Sequence, residues 1–398
     1  MTRPLRALAT LIAPALLSGA AWAAPDQVYG LAWSQPVAST VGSIPELLAP
    51  RWKSRQFATP VLHAASGLVF IGASDRYMRA YDLDRRLAWA FDASGAISSV
   101  PVVGEKLLYF GTDAGVVYAL DVTTGKPVWT HQVDAEVVAP PRLFGQDIFF
   151  STSLDTLYCV NAHTGEYRWH VRHPQPLGIT LFGNAAPAPF LADAADGRTL
   201  RAVAMGYADG TVAALDVASG REIWSAGLGK GDAFIDIDAD LVVLGNMLIA
   251  AANNGGITAF NQADGHVRWH AAVDGVTRLS SNGQMLVGAG AGFVIGLEPA
   301  TGQVRWRHAF GKGVASRPTF DGPRVLINSD AGPLMVLDIY SGKRLQTFGS
   351  PLGMAGDPAV DDDLVLVFSN GGTLYALSSR FRGWAQTGSD PRVSLAAH

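Results

Sequence analysis

The chain has 398 residues, 48% hydrophobic and 16% charged, with 44 Gly, 22 Pro and a formal net charge of −4. That composition excludes a disordered chain, and the mild acidity excludes a nucleic-acid binder, which needs a basic surface. A single cysteine, Cys159, excludes an internal disulfide, a Cys-rich zinc site and a Cys-x-x-Cys redox centre.

Arg3 and Arg6 precede an apolar run from Ala7 to Leu17, and Ala21-Trp22-Ala23 offers small residues for cleavage before Ala24. Residues 1–23 therefore read as a secretory signal, which predicts a periplasmic protein. The apolar run is too short to span a bilayer, and no later stretch is long enough, so no transmembrane span is expected.

Next comes VYGLAWSQPVA, which reads as a strand with Trp33 at its centre but has no neighbouring hairpin. After it the chain repeats itself. Residues 101–133, PVVGEKLLYFGTDAGVVYALDVTTGKPVWTHQV, parse as four short strands separated by turn formers. The third-strand ending recurs at Asp82, Asp121, Asn161, Asp216, Asn261, Glu298, Asp338 and Ser378, at intervals of 39, 40, 55, 45, 37, 40 and 40 residues. A turn glycine follows at Gly125, Gly165, Gly220, Gly265, Gly302 and Gly342. A tryptophan recurs at Trp89, Trp129, Trp169, Trp224, Trp269 and Trp306.

Tandem four-stranded units of this length are propeller blades. The acidic or amide side chain can accept backbone N–H bonds within the turn, and the tryptophan is a large apolar wedge between sheets. The seventh unit, SGKRLQTF, lacks the tryptophan, and the eighth stops after TLYALSS without a fourth strand. The N-terminal strand carrying Trp33 supplies the missing piece and closes the ring, removing two sheet edges. The expected fold is all-β, an eight-bladed propeller over residues 24–380 with a tail at 381–398. Seven blades is the fallback if the divergent first unit is irregular.

Several patterns that suggest chemistry have structural explanations. The recurring acids occur once per blade and read as turn caps. His163, His170 and His173 do not match a usual zinc spacing. Gly288-Ala289-Gly290-Ala291-Gly292 lies within a hairpin rather than between a strand and a helix, so it is no dinucleotide loop. Asp236-Ile237-Asp238-Ala239-Asp240 lacks the Gly and Glu of a calcium loop. No catalytic set, cofactor or metal is therefore expected. The two long intervals, carrying residues 173–189 and 227–243, flank one blade, and loops on a rigid scaffold are where binding residues concentrate.

The repeat VVYALDVTTGKPVW resembles the pyrroloquinoline-quinone-type propeller repeat, and the similarity covers nearly all of residues 27–379. Within that group, the length, export signal and blade number resemble the BamB-like outer-membrane protein assembly factors more than the longer quinoprotein dehydrogenases. The resemblance implies a non-catalytic periplasmic scaffold. It also implies contact with the periplasmic domains of a barrel-inserting, BamA-type subunit, and with nascent outer-membrane proteins. GITLFGNAAPA resembles the family's leucine-rich loop, which places Ile179 and Leu181 at apolar contact positions. Phe182 stands where the family often has Arg. IDIDADLVV resembles the Asp-Val-Asp segment, which places Asp236 and Asp238 at acidic contact positions. The family's lipid-anchored cysteine after the signal has no counterpart, so peripheral association without an acyl anchor is expected. The alternative reading is a small-ligand-binding or quinone-dependent dehydrogenase-like propeller.

Overall fold

Short apolar, β-branched runs cut by glycine turns fold into antiparallel meanders, eight of them, arranged as an eight-bladed β-propeller. The computed structural model describes residues 28–37, 59–174, 185–193, 196–228, 235–350 and 352–381. The expected signal, the tail beyond residue 381, and Ile179, Leu181 and Phe182 lie outside the described residues.

Blades 1 to 8 are numbered here by their third strands. These are Tyr77–Asp82, Val116–Asp121, Thr156–Asn161, Thr211–Asp216, Gly256–Asn261, the second half of Leu286–Leu297, Gly332–Asp338 and Thr373–Ser378. In blade 6 the run Leu286–Leu297 supplies both middle positions. It doubles back at Gly292, whose φ of +77° suits glycine, and a Cβ on Gly288 would lie 3.2 Å from Ile295. The glycine-rich stretch is thus the tip of a hairpin, as its surroundings predict. The one helical element among the described residues is a 3-10 turn, Ser379–Phe381.

The repeat residues form one interlocking device. Asp121 Oδ1 accepts the Thr123 and Thr124 N–H groups at 3.1 and 2.8 Å, and Asn161, Asp216, Asn261 and Asp338 cap their own turns likewise. Each capped turn ends on a left-handed glycine that presses on the indole of the preceding blade. Gly125 has φ +67°, and a Cβ there would come within 2.5 Å of Trp89. That same indole donates Nε1–H to the Val122 carbonyl at 3.0 Å, just beyond the Asp121 cap. The arrangement recurs from Trp129 to Ala162, Trp169 to Val217, Trp224 to Gln262, Trp269 to Pro299 and Trp306 to Ile339.

Each indole also needs a small neighbour on its own sheet. The cross-strand partners are Ala80, Ala119, Cys159, Ala214, Ala259 and Gly296, each followed by a register shift. The core is accordingly a series of inter-blade layers. One joins Phe70, Met78 and Trp89 of blade 1 to Leu108, Phe110 and Leu120 of blade 2.

Ring closure follows the sequence reading. Gly30–Pro36 pairs antiparallel with Thr373–Ser378, and Trp33 stands opposite Ala376 after the same register shift. Half-buried Trp33 packs with Val69, Ile71 and Tyr81 of blade 1. At the seam between blades 7 and 8, Gln346 takes the place of the absent tryptophan opposite Val336.

In a meander, connections alternate between the two ends of the sheet. The links between blades therefore share one face with the turns between second and third strands; this is called the connection face. The capped Asp–Gly turns lie on the opposite face, together with the residue 191–200 insert, which extends the first hairpin of blade 4. The described ends of the two long intervals that flank blade 4, Pro174 and Ala185 on one side and Leu228 and Ile235 on the other, lie on the connection face.

Candidate functional site at the connection face

The channel entrance is set by one position per blade. Two residues before the innermost strand stand Thr59, Val100, Pro140, Ala186, Asp240, Arg317 and Asp357; in blade 6, whose inner strand begins earlier at Val276, the residue that aligns with Arg317 on the following turn (Asn282-Gly283 against Asp321-Gly322) is Arg278. Blades 1 to 4 thus present neutral groups, whereas blades 5 to 8 present Asp, Arg, Arg and Asp. Arg142, at the start of the inner strand of blade 3, reaches Asp240 Oδ2 at 3.0 Å, and Arg317 Nη1 donates to the same oxygen. The Ala186 N–H donates to Asp240 Oδ1 at 3.0 Å, and the Arg317 N–H to Asp357 Oδ1 at 2.8 Å. An ionic strut therefore crosses the channel from blade 3 to blade 7 through a carboxylate entering blade 5. Burial alone would push Asp240 up, but Arg317 and Arg142 hold its carboxyl down at about 2. Asp357 goes the other way, because burial outweighs the attraction of Arg317 and Arg278.

The acidic segment beside this entrance divides its side chains. Asp236 is 2% exposed, and its carbonyl accepts the Asn253 N–H at 3.1 Å. Asp238 is half-buried with Oδ2 unpartnered, and burial together with the Asp236 charge pushes its carboxyl up to about 7. Asp240 is the strut. Among the described residues Asp238 is thus the member of the three left with a buried carboxylate oxygen that has no partner.

A second cluster lies where the turns of blades 3 and 4 meet that segment. Asp155 is fully buried with φ +57°, at a turn position held by glycine in blades 2, 4, 5, 6 and 8 (Gly115, Gly210, Gly256, Gly292 and Gly372). Among the described residues no side chain bonds either carboxylate oxygen of Asp155, and burial pushes it up to about 6 against the pull of the Ala208 backbone N–H and the His173 charge. Beside it the His173 ring stacks on Tyr207 at 4.1 Å and bonds Asp209 Oδ2 through Nε2 at 2.7 Å. His173 leads directly into the long link toward blade 4.

Of the residues predicted from sequence, Asp236 and Asp238 sit at this face. The three histidines are not brought together: His163 lies in a capped turn on the opposite face, His170 bonds Tyr167, and His173 bonds Asp209. Among the described residues no group of three metal-ligating side chains could hold an ion, and no helix is long and apolar enough to cross a membrane. Sequence reasoning missed Arg142, Arg278, Arg317, Asp357 and Asp155. Aligning the repeats at their inner strands and second turns would have exposed Arg278, Arg317 and Asp357 as charged substitutions in a ring position, Arg142 as a charge at the start of an inner strand, and Asp155 as an acid in a glycine position.

A family model described as outer membrane protein assembly factor BamB matches residues 74–290 and 290–396. The outer membrane protein assembly factor BamB of Yersinia pestis is 27% identical over 254 residues, which is 61% of each chain. The chain thus spans about six tenths of the length of that relative. The crystal structure of BamB from Moraxella catarrhalis superposes with a TM-score of 0.72 at 20% identity, over 88% of this chain and all of that one. The quinohemoprotein alcohol dehydrogenase of Comamonas testosteroni gives 0.68 at 14% identity, covering 90% of this chain and 77% of that one. At these identities the structural likenesses show the fold alone.

Proposed function

Because the chain belongs to the family of the outer membrane protein assembly factor BamB, we propose that it is a non-catalytic periplasmic scaffold. In this reading it assists insertion of β-barrel proteins into the outer membrane and docks on the periplasmic domains of the barrel-inserting subunit. The observation that carries the docking surface is positional. The two longest intervals of the repeat flank one blade, and their described ends lie on one face together with Asp238. Leu181 and Ile179 in the first link supply apolar anchors, and Phe182 extends them. Asp238 supplies charge, with Asp236 buried behind it. Apolar anchors carry affinity in such interfaces, and charges mainly set register and on-rate. The strut across the channel entrance ties blades 3, 5 and 7 together, the rigidity a scaffold needs.

The test is a pull-down with the purified periplasmic domains, paired with melting curves. Leu181→Ala and Asp238→Ala should each weaken binding by about 1–3 kcal/mol at unchanged stability. Equal retention of wild type and both variants would remove this surface, and no retention of wild type would remove the scaffold reading.

A further inference from the structure

The strut leaves guanidinium donors unspent at a channel entrance that also holds the carboxylates of Asp238, Asp240 and Asp357. Each guanidinium carries five N–H donors. Among the described residues Arg142 uses two side-chain bonds, to the Pro141 carbonyl and Asp240. Arg317 uses one, to Asp240, and Arg278 uses one, to the Thr277 carbonyl at 2.7 Å. Asp240 is spent on both oxygens, and Asp357 gives one oxygen to a backbone N–H. Among the described residues Arg278 forms no ion pair, although Asp238, Asp240 and Asp357 all feel its charge. The nearby Thr277 Oγ1 and Asp238 Oδ2 have no partner either.

A planar fork of unspent donors held by the rim of a channel is the geometry that takes oxygen pairs from an anion. We propose that the connection-face entrance is a binding site for a small multivalent oxyanion of the phosphate or polycarboxylate class. Arg278 is its main ligand, and the outer N–H groups of Arg317 and Arg142 complete the cradle. The strut sets the specificity: it holds two guanidinium groups in place without using up their donors, and the neutral positions of blades 1 to 4 leave the opposite side of the entrance uncharged. The site uses the inner ring rather than the long links, and it meets the docking surface at Asp238, whose carboxyl feels the Arg278 charge.

The experiment follows thermal unfolding of the full chain with increasing inorganic phosphate at constant ionic strength, with sodium chloride as reference and citrate as a second probe. The expected result is a saturable rise in midpoint of roughly 2–4 °C for both probes. The rise should be lost in Arg278→Gln, read against that variant's own midpoint in chloride, since Asp238, Asp240 and Asp357 all feel the Arg278 charge. A non-saturating rise, or an equal rise in Arg278→Gln, would overturn the site. Should Arg278→Gln prove unstable, phosphorus line broadening of phosphate by the wild-type protein decides. Reversal by excess citrate supports the shared cradle, and no broadening or no reversal overturns it.

Discussion

The side-chain amide of Gln346 grips the backbone of Tyr29 in both directions. Its Nε2 donates to the Tyr29 carbonyl at 2.7 Å, and its Oε1 accepts the Tyr29 N–H at 2.8 Å. Oε1 also accepts the Val28 N–H. At every other described seam from blade 1 to blade 7, an indole bonds forward to the next blade's turn. Here an amide, which can both donate and accept, holds an incoming strand instead. Tyr29 is anchored further by its hydroxyl on Asp321, itself paired with Arg324.

Gln346→Leu keeps the volume and removes all three bonds. Stranded backbone groups cost about 1–3 kcal/mol each when buried, so a loss of roughly 2–4 kcal/mol is expected. Native-state hydrogen exchange should show residues 30–36 opening far more readily than the strands of blade 3. Uniform protection across both would remove the clamp.

The indoles of the inner seams should matter more than the one at closure. Trp129 is 8% exposed and bonded to Ala162, so Trp129→Ala should cost about 3–5 kcal/mol. Trp33 is half-buried, and Trp33→Ala should cost less, though still enough to lower the melting midpoint. Denaturant titration of both variants checks the order.

Gly165 combines a φ of +71° with an indole beneath it, so a Cβ would come within 2.7 Å of Trp129. Gly165→Ala should destabilise by at least 1–2 kcal/mol, as backbone strain and a clash coincide. Gly245→Ala is the control. It shares the left-handed backbone, at φ +56°, but meets nothing within 4 Å. Melting curves that place the two variants together would show that strain alone acts.

Two carboxyls should bend the pH profile in opposite senses. Asp240 is held at about 2, so its contribution is present above the ordinary carboxylate value near 4 and is lost as pH falls toward 2. Asp155 sits at about 6, so the folded protein retains a proton that the unfolded chain has released. Stability therefore falls as pH rises from about 4 to about 6. Asp155→Asn should raise stability at pH 8 by about 1–3 kcal/mol and change little at pH 4, since Asn tolerates the left-handed backbone. Asp240→Asn should cost about 3–5 kcal/mol at neutral pH, because two guanidinium groups lose their counter-charge. Calorimetry from pH 3 to 8 on the three proteins resolves the pattern.

The repeat was legible because each of its residues works over a short span. The Asp121 cap reaches Thr123 and Thr124, and Gly125 needs only its own φ. Closure was legible by subtraction, as blade 8 lacked a strand and the segment around Trp33 lacked neighbours. The channel strut was not, because Arg142 and Arg317 meet Asp240 across 98 and 77 residues. Nothing in a local window distinguishes those arginines from surface ones. Asp155 was hidden for a different reason: its cost lies in burial and backbone angle, neither of which has a signature in a single turn. The apolar anchors of the docking surface rest on resemblance, since Ile179, Leu181 and Phe182 lie outside the described residues.

Pairing Gly30–Pro36 with Thr373–Ser378 also imposes a timetable. The strand that completes the ring is the first of the described strands to leave any pore through which the chain is threaded, and its partner is the last. Until residue 378 has emerged, Trp33 and the backbone of that strand have no lodging, while seven blades can already stack behind them. A chain that emerges N-terminus first must therefore keep its leading strand from pairing with strangers until its last strand is available.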